Sequence, residues 1–217
     1  MASILGELSQ AVIRGDAATV KESTEKALAQ GIAPDKIFRE ALIPGMDEVG
    51  RRMEAEEYFI PEVLLSARAM KSATEILNPL ISQNKTMEPL GRVVIGTVQG
   101  DLHDIGKNLV VLMLEAKGFQ MTDLGFNVSP EQFIENVKNT KADILAMSAM
   151  LTTTMQKMNE TIKSLRTAGY REKVIVMVGG APITDDFSRS IGADGFASDA
   201  ASAARLAEKL ITGRVKP

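Results

Sequence analysis

The spacing of apolar residues changes near residue 92, and this change limits the folds that the 217-residue chain can adopt. Beyond that point, short apolar runs alternate with segments whose apolar residues recur at every third or fourth position. Those segments predict helices. Such alternation is typical of a parallel sheet with helices on both of its faces. The short runs predict five strands, at 92–98, 120–124, 142–148, 173–178 and 194–197.

Five strands within about 125 residues indicate a flavodoxin-like (Rossmann-like) α/β domain over residues 92–217. The strand interiors are nearly continuous in apolar residues, as expected for a sheet that is covered on both faces. Periodicity does not predict the order of the strands. Domains of this kind bind ligands beyond the carboxyl ends of their strands, so we expect a site in the loops that follow the strands.

Residues 1–83 predict a small helical bundle, because no strand-like run interrupts them. Asp16 and Gly31 are typical of the start and the end of one helix. Pro34 opens a second helical stretch that is predicted to run to about Met53, and Pro61 suits the first turn of a third helix. On that third helix one apolar face is predicted to contain Val63, Leu64, Ala67, Met70 and Leu77. Residues 84–91 break the helical pattern and predict a linker.

The chain has no cysteine and a single histidine, His103. The lack of cysteine excludes disulfides, thiolate-bound zinc and a cysteine nucleophile, and it fits a cytoplasmic protein. A net charge of -3 argues against nucleic acid as a partner. No apolar run approaches the ~20 residues of a membrane span, and the first residues lack the parts of a signal peptide, so we expect no membrane association.

The histidine lies in the loop after the first predicted strand, in the segment Gly100-Asp101-Leu102-His103-Asp104-Ile105-Gly106. Neutral imidazole binds transition metals, and a carboxylate on its other nitrogen fixes the tautomer. Gly106 would let backbone pass close to a bulky group. A lone histidine cannot hold zinc by itself, so a metal is expected to arrive inside a cofactor that supplies its other ligands. From these residues alone, a surface histidine or a phosphate-binding loop is the alternative.

Two further loops fall at the same predicted edge of the sheet. Ser148 to Thr154 carries four hydroxyl side chains that could bind polar groups of a buried ligand, or that could simply cap a helix. Gly179-Gly180 permits close approach of the backbone to a flat ligand, or forms a tight turn. Together with the histidine loop they outline one cleft.

These motifs resemble those of the corrinoid proteins of methyltransferase systems and of the cobalamin-binding module of methionine synthase. The family pattern is Asp-x-His-x-x-Gly, then Ser-x-Leu, then Gly-Gly. The helical half is also similar to the family's cap, at 45–50, 58–62 and 66–70. The α/β half differs only by Met150 in place of leucine, a change that conserves volume and polarity. Its matching segments are Asp101-Leu102-His103-Asp104-Ile105-Gly106, Ser148-Ala149-Met150 and Gly179-Gly180.

The resemblance implies a cobalamin cofactor, or another cobamide, whose lower base leaves the cobalt and enters the α/β domain. His103 would replace that base as the metal ligand, Asp101 would bind His103, and Thr154 would extend the relay. Phe59 in the cap would contact the methyl-bearing face of the cofactor. The other cofactor-binding residues that the resemblance implies are Gly100, Asp104, Gly106, Ser148, Met150, Thr152, Gly179, Gly180 and Ala200.

The resemblance also implies a methyl carrier, the non-catalytic subunit of a cobalamin-dependent methyltransferase system. Cobalt(I) is a nucleophile that takes a methyl group from a donor and passes it to an acceptor. The implied partners are a substrate-specific methyltransferase, an acceptor methyltransferase that acts on a folate, a pterin or a thiol, and a reductive activator. The cap would have to swing away for transfer, with residues 84–91 as the hinge.

Two other cobalamin proteins share parts of this pattern. An adenosylcobalamin mutase subunit has the histidine loop but lacks the helical cap. A cobalamin-dependent sensor usually has a tryptophan in its cap and a DNA-binding domain before it, whereas this chain has no tryptophan and its helical half leaves no room for such a domain. A cofactor-free signalling domain would leave the coincident loops and the cap unexplained. Methanol, methylamines, betaines and aryl methyl ethers are all served by similar carriers, so the sequence does not predict the donor.

Overall fold

The structure is a computed structural model that describes residues 3–84 and 88–213, without the side chains of 82–84. The chain divides into two compact units, Met1–Glu88 and Pro89–Pro217. Of the predicted linker 84–91, residue 84 ends a helix, 85–87 lie outside the described residues, and 88–91 precede the first strand. No helix in the described ranges is long and apolar enough to cross a membrane.

The first unit is helical, as predicted. Asp16 caps helix α2 (Ala17–Ala29) by accepting a hydrogen bond from the Thr19 amide at 3.1 Å. Gly31 follows α2 with a φ of +77°, a conformation that favours glycine, and its N–H donates to the Leu28 carbonyl. The helices of this unit are α1 (Ile4–Ile13), α2 (Ala17–Ala29), α3 (Pro34–Ile37), α4 (Ile43–Glu54) and α5 (Ile60–Asn84).

A π-helical turn, Phe38–Leu42, joins α3 to α4. The helical stretch predicted from Pro34 to about Met53 is therefore confirmed, and the turn within it is π-helical instead of α-helical. Pro44 has no N–H to donate to the carbonyl four residues earlier, so the regular pattern is broken at this point. The Ile43 N–H donates instead to the carbonyl of Phe38, five residues back, which is the π-helical pattern.

Helix α5 buries one face, although not the whole face that the sequence predicts. Val63, Ala67, Met70 and Leu77 are buried, whereas Leu64 is 47% exposed and is the one wrong member of the predicted set. Leu64 lies one position after Val63, about 100° around the helix, which turns it toward the edge of the apolar face. The other buried residues of α5 are Ser66, Ala69, Ala73 and Ile81.

The second unit is a five-stranded parallel sheet with helices between its strands, which confirms the predicted fold class. The elements are β1 (Arg92–Thr97), α6 (Ile105–Ala116), β2 (Gln120–Asp123), α7 (Pro130–Thr140), β3 (Ile144–Ser148), α8 (Gln156–Thr167), β4 (Ile175–Gly179), α9 (Asp185–Ile191), β5 (Gly195–Ala197) and α10 (Ala200–Gly213). The strand order is β2-β1-β3-β4-β5. The helices pack on both faces of the sheet, with α6 against α10 on one and α7 against α8 on the other.

The strand order places β1 between β2 and β3, where the direction of the crossovers reverses. Thr97 at the end of β1 pairs in register with Ser148 at the end of β3, and Ser148 pairs with Gly179 at the end of β4. Because all strands are parallel, the loops that follow these three residues lie side by side at one edge. This edge is where folds of this class bind their ligands.

Candidate functional site

The carboxylate of Asp101 joins the loop after β1 to the loop after β3. Its Oδ1 accepts a hydrogen bond from the His103 amide at 3.1 Å and lies 2.7 Å from the His103 ring Nδ1. Its Oδ2 accepts hydrogen bonds from the amides of Met150 at 2.7 Å and Leu151 at 3.2 Å, and from the Thr154 hydroxyl at 2.8 Å. Asp101 is completely buried, so these five contacts replace its hydration.

These contacts determine the charge of Asp101. Burial alone would raise the pKa of its carboxyl, but the hydrogen bonds from the Met150 amide, the His103 ring and the Thr154 hydroxyl outweigh burial and hold the pKa below its usual range. Asp101 is therefore an anion at neutral pH. An anion can only accept, so Nδ1 of His103 carries a proton, and in the neutral imidazole Nε2 is the nitrogen with a free lone pair.

The ring of His103 is exposed, whereas its backbone is fixed by hydrogen bonds. The side chain is 56% exposed. Its carbonyl accepts a hydrogen bond from the Thr97 hydroxyl at 2.9 Å, and Thr97 is completely buried at the end of β1. Thr97 is not among the site residues predicted from the sequence. The one indication of its role in the sequence is a hydroxyl residue at the carboxyl end of a strand whose buried residues otherwise lack polar side chains.

A second residue that the sequence analysis did not identify is Asn127, in the loop after β2. Its Oδ1 accepts a hydrogen bond from the Gly100 amide at 2.8 Å, and its own N–H donates to the Asp101 carbonyl at 3.0 Å. Asn127 has a φ of +57°, a conformation that asparagine tolerates better than most residues. The histidine loop is thus held by both neighbouring loops of the sheet, those after β2 and β3.

The predicted residues around His103 have different surroundings. Gly100 has a φ of +84° and bonds Asn127. Asp104 is half-buried at the start of α6, and its Oδ2 accepts from the Asn108 side chain at 3.2 Å. Gly106 is exposed in the first turn of α6, where a Cβ would meet no atom within 4 Å. Neither crowding nor a positive φ requires glycine there, so the bare backbone leaves room for a group outside the chain.

Gly179 and Gly180 approach their own chain. A Cβ on Gly180 would lie 1.9 Å from the Ala149 carbonyl oxygen, and the φ of Gly180 is +125°. A Cβ on Gly179 would lie 3.1 Å from the Ala197 carbonyl oxygen. The pair therefore allows the loops after β3, β4 and β5 to pack closely. This packing explains the two glycines without a ligand.

The remaining predicted residues of this unit lie at the same edge. Ser148 is half-buried and Thr152 is exposed, and neither side chain makes a hydrogen bond to the residues described. Ala200 is buried as the first residue of α10. Thr154 is the one hydroxyl of its loop that the structure brings to Asp101.

Large apolar side chains are exposed in the loops after β1, β2 and β3 and at the start of α6. The loop after β1 also carries the single imidazole, and no group of three or more His, Cys, Asp or Glu that could hold a metal occurs in the described part of the chain. A free metal ion would find too few ligands here. A metal that is already bound inside a large macrocycle would need only one ligand from the protein. The donor set, the open space at Gly106 and the apolar surface fit such a cofactor. The exposed apolar residues, all at least 42% exposed, are Leu102, Ile105, Phe126, Met150 and Leu151.

Phe59 belongs to the helical unit, where it is 64% exposed just before α5. Its N–H donates to Glu62 at 3.0 Å. The neighbouring Tyr58 donates from its hydroxyl to the Ile13 carbonyl at 3.1 Å and accepts from Arg52 at 3.2 Å. These bonds fix the segment that carries Phe59, so its ring is exposed on an ordered turn.

Known proteins share both units of the chain. Two family models described as a B12 binding domain match it, one over residues 4–78 and one over residues 91–205. The chain is 39% identical to dimethylamine corrinoid protein 1 of Methanosarcina mazei over 97% of both chains. It is 38% identical to trimethylamine corrinoid protein 2 of the same organism, over 95% of this chain and 97% of that one.

A solved structure extends this similarity to the fold. The methanol:cobalamin methyltransferase complex from Methanosarcina barkeri contains a chain that matches with a TM-score of 0.85 and 30% identity, over 98% of this chain and 81% of that one. The matches cover both the helical unit and the α/β unit. This chain belongs to the corrinoid proteins of methyltransferase systems, a family defined by B12-binding domains.

Proposed function

We propose that this protein is a methyl carrier that holds a cobamide with its lower base detached and with His103 as the lower axial ligand. The observation that carries the proposal is the 2.7 Å contact between Asp101 and Nδ1 of the chain's only histidine. The bound cobalt would supply the methyl chemistry, as a reduced nucleophile that accepts a methyl group from one partner and gives it to another.

Asp101 would keep His103 ready to coordinate. A carboxylate that accepts the Nδ1 proton directs the lone pair of Nε2 outward and makes the imidazole a stronger donor. The other bonds of Asp101 tie this carboxylate to Met150 and Thr154. Movement of the imidazole would therefore be coupled to the loop after β3.

The detached base would enter the edge formed by the loops after β3, β4 and β5. Ser148 and Thr152 support this placement, since their hydroxyls have no partner among the described residues and can serve a ligand. The other residues proposed to line this region are Met150, Gly179, Gly180 and Ala200.

We further propose that the helical unit covers the methyl-bearing face, with Phe59 in contact with it. Its exposed apolar ring suits a flat, partly apolar cofactor. The segment 84–91 would then act as the hinge that lets the helical unit move aside. If shortening this segment left methyl transfer unchanged, the hinge would be excluded.

The carrier would act as the non-catalytic subunit between two enzymes. One is a substrate-specific methyltransferase, for which the named relatives suggest a methylated amine as the donor class. The other is an acceptor methyltransferase that acts on a folate, a pterin or a thiol. A reductive activator would restore cobalt that has been oxidised.

The proposal is tested by loading the purified protein with hydroxocobalamin beside a His103→Ala protein. After desalting, the wild type should retain about one corrinoid per chain and show the visible spectrum of histidine-ligated cobalamin. The variant should lose that spectrum. A wild type that retains no corrinoid, or a variant with an unchanged spectrum, would reject the proposal.

A further inference from the structure

The backbone of His103 is held at both of its polar atoms, although it lies in a loop without regular secondary structure. The His103 N–H donates to Oδ1 of Asp101 at 3.1 Å. The His103 carbonyl accepts from the Thr97 hydroxyl at 2.9 Å. The first bond comes from the same loop, whereas the second comes from the sheet.

From this geometry we infer that Thr97 is a positioning residue for the axial histidine: its hydroxyl fixes the His103 peptide to the sheet, and so fixes the position from which the imidazole reaches the metal. The inference rests on the proposed function. It assigns to Thr97 a role different from that of Asp101. Asp101 holds the ring at Nδ1 and sets its rotation, while Thr97 holds the backbone and sets its position.

Thr97 is suited to this role because it is itself rigidly placed. Its N–H donates to the Gly125 carbonyl at 2.9 Å, and its carbonyl accepts from the Val128 amide at 3.0 Å. It also pairs in register with Ser148 of β3. Through the Thr97 hydroxyl, the histidine loop is therefore attached to a residue that is itself fixed by the loop after β2 and by the end of β3.

The composition of β1 supports the same interpretation. Its other buried residues are Val93, Val94, Ile95 and Gly96, all of which lack a polar side chain. A valine at position 97 would satisfy the packing of a fully buried strand end and would bring no hydroxyl to be paired. Among the described residues, the hydroxyl donates to the carbonyl of His103 and has no other hydrogen-bond partner, so its effect should be found at the histidine.

The test compares Thr97→Val, which removes the hydroxyl and keeps the branched shape, with Thr97→Ser, which keeps the hydroxyl. Each protein is loaded with cobalamin and reduced to the cobalt(II) state. The proteins are made with ¹⁵N-labelled histidine, so that the two-line splitting from His103 is distinguished from the three-line splitting of the cofactor's own base. The fraction of cobalt with axial histidine is then read from the electron paramagnetic resonance spectrum. Thr97→Val should retain corrinoid, but the ratio of histidine-ligated to unligated cobalt should fall about fivefold, as expected for one lost hydrogen bond. Thr97→Ser should restore most of this ratio.

A second readout uses the protein without cofactor. Histidine labelled with ¹³C at its carbonyl gives one resonance, since His103 is the only histidine. This resonance should shift in Thr97→Val and return in Thr97→Ser. If Thr97→Val does not fold, Thr97→Ala removes the hydroxyl without adding a methyl group and takes its place.

The outcomes separate this inference from the function on which it rests. A wild type without axial nitrogen would reject histidine ligation itself. A wild type with axial histidine nitrogen, together with hydroxyl-free variants that are less stable but equally ligated by histidine, would limit Thr97 to a structural role and overturn the inference.

Discussion

Oδ1 of Asp101 lies 2.7 Å from Nδ1 of His103, and the carboxylate is completely buried while the imidazole is more than half exposed. The anion is therefore protected from water, and the group that it orients is open to a ligand. Two amides and one hydroxyl of the loop after β3 saturate the second carboxylate oxygen. This arrangement keeps the charge of Asp101 and the tautomer of His103 fixed before any cofactor binds.

The stability that Asp101 contributes should depend on pH. Its pKa is lowered in the folded protein from 3.8, the value expected in the unfolded chain. A lowered pKa means that the contribution is fully present above this value and is lost as the pH falls below it. Asp101→Asn should lower the free energy of unfolding by about 1–3 kcal/mol at pH 7, because the amide places a donor against the donors around it.

Urea unfolding of both cofactor-free proteins at pH 7 and near pH 3 measures this dependence. The difference between wild type and Asp101→Asn should shrink at the lower pH. A difference that stays constant with pH would show that the ionised carboxylate is not the stabilising form.

The ion pair between Lys107 and Asp123 should respond unequally to the loss of each partner. Nζ of Lys107 lies 2.6 Å from Oδ2 of Asp123, and the lysine side chain is 1% exposed whereas the aspartate side chain is 35% exposed. Asp123→Asn removes the countercharge of a buried ammonium group and leaves it only neutral amide acceptors from residues 108 and 123 among the described residues, which should cost about 3–5 kcal/mol. Lys107→Met leaves a carboxylate that water can reach and should cost less.

Thermal or urea unfolding of the two variants gives the comparison directly. The critical result is which of the two variants loses more free energy of unfolding. If Lys107→Met proved the more damaging change, hydration of the remaining charge would not control the energetics of this pair.

Alanine substitutions at two glycines of the site should affect stability and cofactor binding differently. Gly106→Ala places a methyl group where no protein atom lies within 4 Å. Because alanine is favoured over glycine in helices by about 1 kcal/mol, the cofactor-free variant should be as stable as wild type or more stable, yet it should bind corrinoid more weakly. Gly180→Ala should instead destabilise the protein itself, since its Cβ would overlap the Ala149 carbonyl.

Unfolding without cofactor and retention of hydroxocobalamin on desalting are measured for both variants. If Gly106→Ala bound cobalamin as tightly as wild type, the open space over Gly106 would not be the cofactor site.

Phe59 should affect the bound cofactor and not the stability of its own unit. Because the side chain is 64% exposed, Phe59→Ala should change the free energy of unfolding by no more than about 0.5 kcal/mol. If Phe59 shields the methyl-bearing face, bound methylcobalamin should lose its methyl group faster under light in the alanine variant, and Phe59→Leu should be intermediate. The rate is followed from the visible spectrum. Equal rates in all three proteins would remove Phe59 from the face of the cofactor.

Much of the fold and of the candidate site could be predicted, because the sequence patterns that indicate them lie within short segments. The apolar runs of the five strands, the cap at Asp16 and the order of Asp101 and His103 are all present in short segments. The strand order was not predictable from periodicity, since it depends on pairing between distant residues. The exposure of Leu64 was missed for a related reason, because a position at the edge of an apolar face is buried or exposed according to its neighbours.

The contacts around the histidine loop show the same limit. Thr97 and Asn127 act through hydrogen bonds to backbone atoms, and any residue type can supply a backbone partner. The close approach of Gly180 to Ala149 likewise joins two loops that are far apart in sequence. Such roles become visible only when the fold brings the loops together.

The most direct test of the account is to identify the axial ligand of cobalt(II) in protein made with ¹⁵N-labelled histidine. His103 is the only histidine, so the label marks one imidazole. If His103 coordinates, the nitrogen splitting in the electron paramagnetic resonance spectrum should change from three lines with ¹⁴N to two lines with ¹⁵N. A three-line pattern that the label leaves unchanged would mean that the cofactor's own base stays on the metal. That result, or a spectrum without nitrogen splitting, would contradict the account.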